Sequence, residues 1–264
     1  MANKRRRRES TAEDRPDRKG QVREGDPSPE GEGTGKEPGE NVLLEWVKSL
    51  VVALVLFLFI RSFLLHTFVI ISGSMEDTLL VGDLLLVNRA AVGSPVPGTS
   101  WRIPGYSTVK RGDVLVFDPP HEQDLKLVKR LVGLPGDTVE MRDKVLFVNG
   151  QPLDEPYVQH QDPYRDDASP WMSWQNDFVL RNAANGVYRP TRDNWGPLLI
   201  PPDRYFTLGD NRDTSLDSRY WGLLEGWRLE GRAVFIYFSY NKDSLRPFPA
   251  LREIRWGRIG SRVR

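Results

Sequence analysis

Three stretches of this chain carry side chains that could act on one another chemically. The first is Ile71-Ser72-Gly73-Ser74-Met75, the second is Lys129 within Leu127-Val-Lys-Arg-Leu-Val-Gly133, and the third is the polar block from Gly209 to Gly222. A serine hydroxyl is a weak nucleophile and needs a base. The three histidines, His66, His121 and His160, stand in no context that suggests a triad. A lysine serves as base only when its amine is neutral, a state that at pH 7 describes about one ordinary lysine in a few thousand. Lowering its pKa by roughly 2–3 units costs on the order of 3–4 kcal/mol and needs a dry site. The apolar run around Lys129 supplies that desolvation, and as a strand it puts Leu127, Lys129 and Leu131 on one face. A hydroxyl such as Ser215 can orient the amine.

Each feature taken singly has a plainer reading. A serine beside a glycine usually marks a turn. A lone lysine in a strand more often snorkels at a sheet edge than works as a base. The block Gly209-Asp-Asn-Arg-Asp-Thr-Ser215 and Leu216-Asp-Ser-Arg-Tyr-Trp-Gly222 reads either as a solvated loop with local ion pairs or as a network bracing a site.

The elements that must position these residues are mostly strands. Short apolar runs, Asp83–Val87, Asp113–Phe117, Leu125–Leu134, Lys144–Val148 and Arg232–Phe238, alternate with Gly-Asp and Asn-Gly turn signals. Val145 to Leu153 reads as a strand, a tight Asn149-Gly150 turn and a return. Beyond the first 65 residues no sustained helical period appears, so the expectation is a mainly β, antiparallel, hairpin-rich domain. Residues 92–109 read as a long loop. Residues 155–202, polar and aromatic with Trp171, Trp174 and Trp195, read as an inserted subdomain between catalytic segments 66–154 and 203–240. Arg246, Arg252, Arg255, Arg258, Arg262 and Arg264 make 241–264 a basic C-terminal segment, read equally as a lipid contact or a solvated tail.

Ahead of the β region, residues 42–65 form the one long apolar stretch. With its flanks it holds about twenty residues, enough at about 1.5 Å per residue to cross a hydrocarbon core of roughly 30 Å. Lys48 and Arg61 stand near its ends and Trp46 suits an interface. Residues 1–41 carry ten basic and ten acidic side chains up to Glu40, with almost no large apolar ones, and are expected to be disordered. The basic run Lys4–Arg8 gives a topology with the N-terminus inside and everything after residue 66 exported. Overall the chain has 37 Lys+Arg and 36 Asp+Glu, a formal charge of +1 that argues against nucleic-acid coating. It has no cysteine, which removes catalytic thiols, cysteine metal sites and disulfide scaffolds together. No metal or other cofactor is expected.

Five blocks in order carry a resemblance. They are the anchor, Ser72-Gly-Ser-Met-Glu-Asp-Thr-Leu-Leu80 with Gly82-Asp83, Arg111–Phe117, Lys129–Asp137, and Gly209–Arg219. Together they resemble the bacterial type I signal peptidases, membrane-bound Ser-Lys endopeptidases that remove signal peptides from exported preproteins. The resemblance implies a β-sheet catalytic domain of signal-peptidase type with an inserted subdomain, behind one transmembrane helix. It implies Ser74 as nucleophile and Lys129 as general base. It implies Ser72 as an oxyanion-hole hydroxyl, Ser215 as a hydrogen-bond partner of the lysine, Asp217 and Arg219 as a supporting pair, and Met75 as a substrate-side packing residue. Implied partners are preprotein signal peptides, the lipid bilayer and the secretion machinery, at the plasma membrane with the catalytic domain outside. The sequence departs from the family in carrying Asp77 where proline often precedes the threonine. Two other readings stand: a self-cleaving Ser-Lys protease of the same fold, which the anchor argues against, and a membrane-tethered β module that only binds.

Overall fold

The computed structural model describes residues 38–96, 99, 101–122, 125–164, 168–180 and 187–264. The expected disordered tail therefore lies, up to residue 37, outside the described residues. The chain divides into two units, Met1–Val47 and Lys48–Arg264.

Helix α1 spans Pro38–Phe59 and passes into a π-helical turn, Ile60–Leu64. Among the described residues, Val42–Leu64 is the helix long and apolar enough to cross a membrane, with 23 residues, mean hydropathy 2.4 and none of them buried. From Leu50 to Phe59 every side chain is apolar and exposed, so this stretch is not packed in a protein core and has the all-round apolar surface of a membrane span.

The rest is mainly antiparallel β structure. Its largest sheet has seven strands: β1 (Leu65–Val69), β2 (Asp83–Asn88), β5 (Val114–Phe117), β6 (Leu127–Gly133), β11 (Arg204–Leu208), β12 (Leu224–Glu225) and β13 (Leu229–Ser239), in the order β1-β2-β13-β5-β6-β11-β12. Strands β3 (Gly93–Pro95) and β4 (Arg102–Pro104) form a small hairpin where a loop was expected. A second sheet of four strands has the order β10-β7-β8-β9, built from β7 (Thr138–Arg142), β8 (Val145–Val148), β9 (Gln151–Pro152) and β10 (Trp195–Leu199). It contains the expected hairpin at Asn149-Gly150, where both residues take positive φ (52° and 77°), the backbone a tight two-residue turn requires.

The pleat of the strands decides which side chains enter the core. In β2 every second residue, including Leu85 and Val87, is buried. These pack with Met75, Leu79, Val116 and Ile236 in one core cluster. A second cluster fills the space between the four-stranded sheet and β11, through Val139, Leu146, Met172, Trp195, Leu198 and Phe206. The C-terminal segment is no solvated tail. After the short helix Pro249–Arg252 it returns along β13, where Ile236 N–H donates to Ser261 O at 2.9 Å and Val263 N–H to Val234 O at 2.9 Å.

Candidate active site

Ser74 sits in a single 3-10 turn, Gly73–Met75, directly ahead of β2 and beside β6. The turn is closed by Glu76 N–H on Gly73 O at 3.0 Å and by Leu79 N–H on Met75 O at 2.7 Å. The Ser74 carbonyl accepts the Asn211 N–H at 3.1 Å, which ties the turn to the polar block. Gly209 makes that approach feasible, because a β-carbon there would lie 2.2 Å from Ser215 Oγ.

Lys129 projects from β6 opposite Leu115 of β5, a strand buried at all four positions. The side chain is only 3% exposed, and its Nζ donates to Ser74 Oγ. Burial pushes the amine down to about 8; Asp217 resists that shift and Arg219 adds to it. Two groups 55 positions apart in sequence are thus brought into direct contact, with the amine poised to lose its proton near neutral pH.

The other expected residues gather around this pair in different ways. Ser72 is exposed, with its Oγ 3.5 Å from Ser74 Oγ, the outer limit of a hydrogen bond. Ser215 is buried next to Gly209, but among the described residues its hydroxyl has no hydrogen-bond partner. The bond to Lys129 implied by the resemblance is not formed, because the amine is turned onto Ser74. Met75 is 2% exposed and packs in the core beneath the turn, so it has almost no surface to offer a substrate.

Asp217 and Arg219 form a buried two-pronged ion pair, with Nε to Oδ1 and Nη2 to Oδ2 both at 2.8 Å. Burial pushes the Asp217 carboxyl up, and the adjacent Arg219 overrides this and holds it below its ordinary value. Asp217 also accepts the Gly209 N–H at 3.1 Å, so the pair fixes the strand end that touches Ser74.

Several supporting groups had no partner assigned from sequence, although Asp210 and Arg212 lie in the same polar block as Asp217 and Arg219. Arg130, beside the lysine, grips Asp210 through Nε at 2.8 Å and Nη2 at 2.6 Å and stacks on Tyr157 at 3.7 Å. Asp210 also takes the Thr78 hydroxyl at 2.6 Å, closing a link from the polar block back to the segment that follows the Ser74 turn. Arg212 makes the same forked pairing with Glu155, at 3.0 and 2.6 Å. Three buried guanidiniums, each matched by a carboxylate, follow the rule that buried charge survives when paired. An arginine inside an apolar strand at position 130 was the available signal. At Asp77 the backbone is left-handed, with φ 76°, a conformation closed to proline.

A family model described as signal peptidase, peptidase S26, matches residues 43–238. The chain belongs to this family. The signal peptidase match spans α1 through β13 and so contains Ser74, Lys129 and the whole polar block. The chain is 36% identical over 243 residues to a signal peptidase I of Pseudomonas aeruginosa, covering 87% of this chain and 83% of that one. It is 35% identical over 204 residues to a signal peptidase I of Bacillus licheniformis, covering 77% and 92%. A solved signal peptidase I from Enterococcus faecalis is 32% identical, with a TM-score of 0.33, covering 48% of this chain and 97% of that one. Among the described residues no group of His, Cys, Asp and Glu could hold a metal ion.

Proposed function

We propose that this chain is a membrane-tethered serine endopeptidase that removes N-terminal signal peptides from exported preproteins. The observation that carries the reading is the contact of the buried, pKa-lowered Lys129 amine with the Ser74 hydroxyl. Neutral Lys129 takes the Ser74 proton as Oγ attacks the scissile carbonyl. The C–N bond then breaks, the departing amine takes that proton from Lys129, and an acyl ester on Ser74 remains. Lys129 next accepts a proton from water, whose oxygen attacks the ester, and Ser74 leaves with the proton returned. The Ser74 N–H and the Ser72 hydroxyl are the donors for the oxyanion, a contribution typically worth a few kcal/mol. Residues 42–65 anchor the enzyme in the plasma membrane, with residues 1–41 cytoplasmic and the catalytic segments 66–154 and 203–240 outside.

The test is cleavage of a signal-bearing preprotein by the full chain, its Ser74→Ala variant and its Lys129→Ala variant. Both variants are expected to lose cleavage while staying folded, and the wild-type product should begin at a new N-terminus after the signal peptide. Cleavage retained by either variant removes the Ser-Lys assignment. Failure of a serine-acylating inhibitor to label the wild type favours a binding module instead. Protease accessibility in oriented vesicles tests the topology, and a catalytic domain on the cytoplasmic side contradicts it.

A further inference from the structure

The motif Gly82-Asp83 and the C-terminal arginines, to which the chemistry above gives no part, meet in one place. Asp83 opens β2, and its carboxylate is fully buried. It accepts the Leu80 N–H at 2.8 Å, the Ser239 hydroxyl at 2.6 Å and the Arg258 guanidinium, whose Nη2 lies 2.6 Å from Oδ2. The same Nη2 donates to the Thr78 carbonyl at 2.9 Å. Arg255 donates to the Val81 carbonyl at 2.8 Å. At the end of the segment, the Arg264 carbonyl accepts from Arg130, the residue that holds Asp210.

The loop from Ser74 to Asp83 is therefore held on two sides. The polar block holds it through the Thr78 hydroxyl on Asp210, and the C-terminal segment holds it through the carbonyls of Thr78 and Val81. Loop carbonyls have no ladder partner of their own, so a guanidinium fork is a good way to fix them. Catalysis between Lys129 and Ser74 depends on their separation to a fraction of an ångström.

We propose that Arg258 is a positioning residue that clamps the nucleophile loop through Thr78 and Asp83, so that the C-terminal segment belongs to the catalytic apparatus. This rests on the reading of Ser74 as nucleophile. The experiment uses the full chain in detergent micelles with a signal-bearing preprotein, comparing wild type, Arg258→Ala, Arg258→Lys and Arg246→Ala. Arg246 is mostly exposed and pairs with Glu253, so its variant is expected to match wild type. Per folded molecule, Arg258→Ala is expected to lose kcat at least tenfold with KM within twofold. Amide exchange across residues 75–83 is expected to rise at least tenfold. Arg258→Lys keeps the charge near Asp83 but lacks the planar fork, and should fall between the two. A kcat within twofold of wild type, a loss seen only in KM, or unchanged exchange in the loop overturns the proposal. Should Arg258→Ala fail to fold, Arg258→Lys decides: a kcat at least threefold lower supports the clamp and anything closer to wild type refutes it. If the wild type cleaves no preprotein, the peptidase reading fails by itself, and the exchange comparison still judges the clamp.

Discussion

A β-carbon on Gly209 would stand 2.5 Å from the carbonyl oxygen of Ser74, closer than such atoms ever approach. The polar block can reach the Ser74 turn only because position 209 has no side chain. Gly209→Ala is expected to cost about 1–3 kcal/mol of stability through overpacking. Since the displaced atoms belong to Ser74 and Ser215, cleavage should fall by about a hundredfold or more. Thermal unfolding and single-turnover cleavage of the same preparation check both, and a fully active Gly209→Ala enzyme would show that the turn does not need this approach.

The Lys129 amine fixes a pH dependence. On the proposed mechanism cleavage requires the neutral amine, so kcat/KM should rise with pH through a midpoint of about 8. Stability moves in the same direction. The folded chain releases this proton near 8, whereas the unfolded chain holds it to about 10.5, so between those values unfolding takes up a proton and stability rises with pH. Below 8 the full penalty of about 3 kcal/mol is present.

It follows that Lys129→Met should abolish cleavage while raising the melting temperature at pH 7. That gain should shrink as the pH approaches 10.5, because the wild type loses its penalty there. Melting curves at pH 7 and pH 10 for both proteins decide this; a gain that does not depend on pH would mean that the folded amine keeps the pKa of an ordinary solvated lysine.

Asp217 and Arg219 should be far less tolerant. Removing one member strands a buried charge, at about 3–5 kcal/mol. Arg219→Ala also removes a positive neighbour that helps hold the Lys129 pKa down, so its residual activity should need a higher pH than the wild type. A pH–rate profile with an unmoved or lower midpoint would show that Arg219 does not act on Lys129 through its charge.

Arg130→Lys tests the brace on the other side of the site. An ammonium cannot supply both guanidinium bonds to Asp210 and also stack on Tyr157, so about 2–4 kcal/mol should be lost despite the retained charge. Equal urea midpoints for the two proteins would reduce the fork to a surface-like pair.

Much of this architecture was legible in the residues. The short apolar run Asp83–Val87 behind its Gly-Asp turn signal gave β2, though not its buried face, since Leu84, Leu85 and Leu86 are alike in sequence; Lys129 stood out because an apolar strand rarely holds a lysine without reason. The second sheet was harder to see. Strand β10 reads Trp-Gly-Pro-Leu-Leu, with a turn-like Gly-Pro and no alternation, and its partner β7 lies more than fifty positions earlier. The clearance at Gly209 and the reach of Arg258 back to Asp83 were not legible either. A glycine needed for clearance looks the same as one needed for a turn, and a basic segment looks the same in solvent or folded back against a carboxylate. Pairing over such distances leaves no trace in local periodicity.

The passage from the apolar helix into β1 contains no glycine or proline from Phe59 to Val69, only the π-helical turn and then paired strand. On the function proposed above, this junction is a stiff mount and not a leash. Nine residues lie between Leu64 and Ser74, so over ten residue steps the Ser74 hydroxyl stays within roughly 35 Å of the helix end even at full extension. An enzyme mounted in this way works as a height gauge. It meets its substrates in a film of fixed thickness, and it measures where a chain emerges as well as what that chain displays.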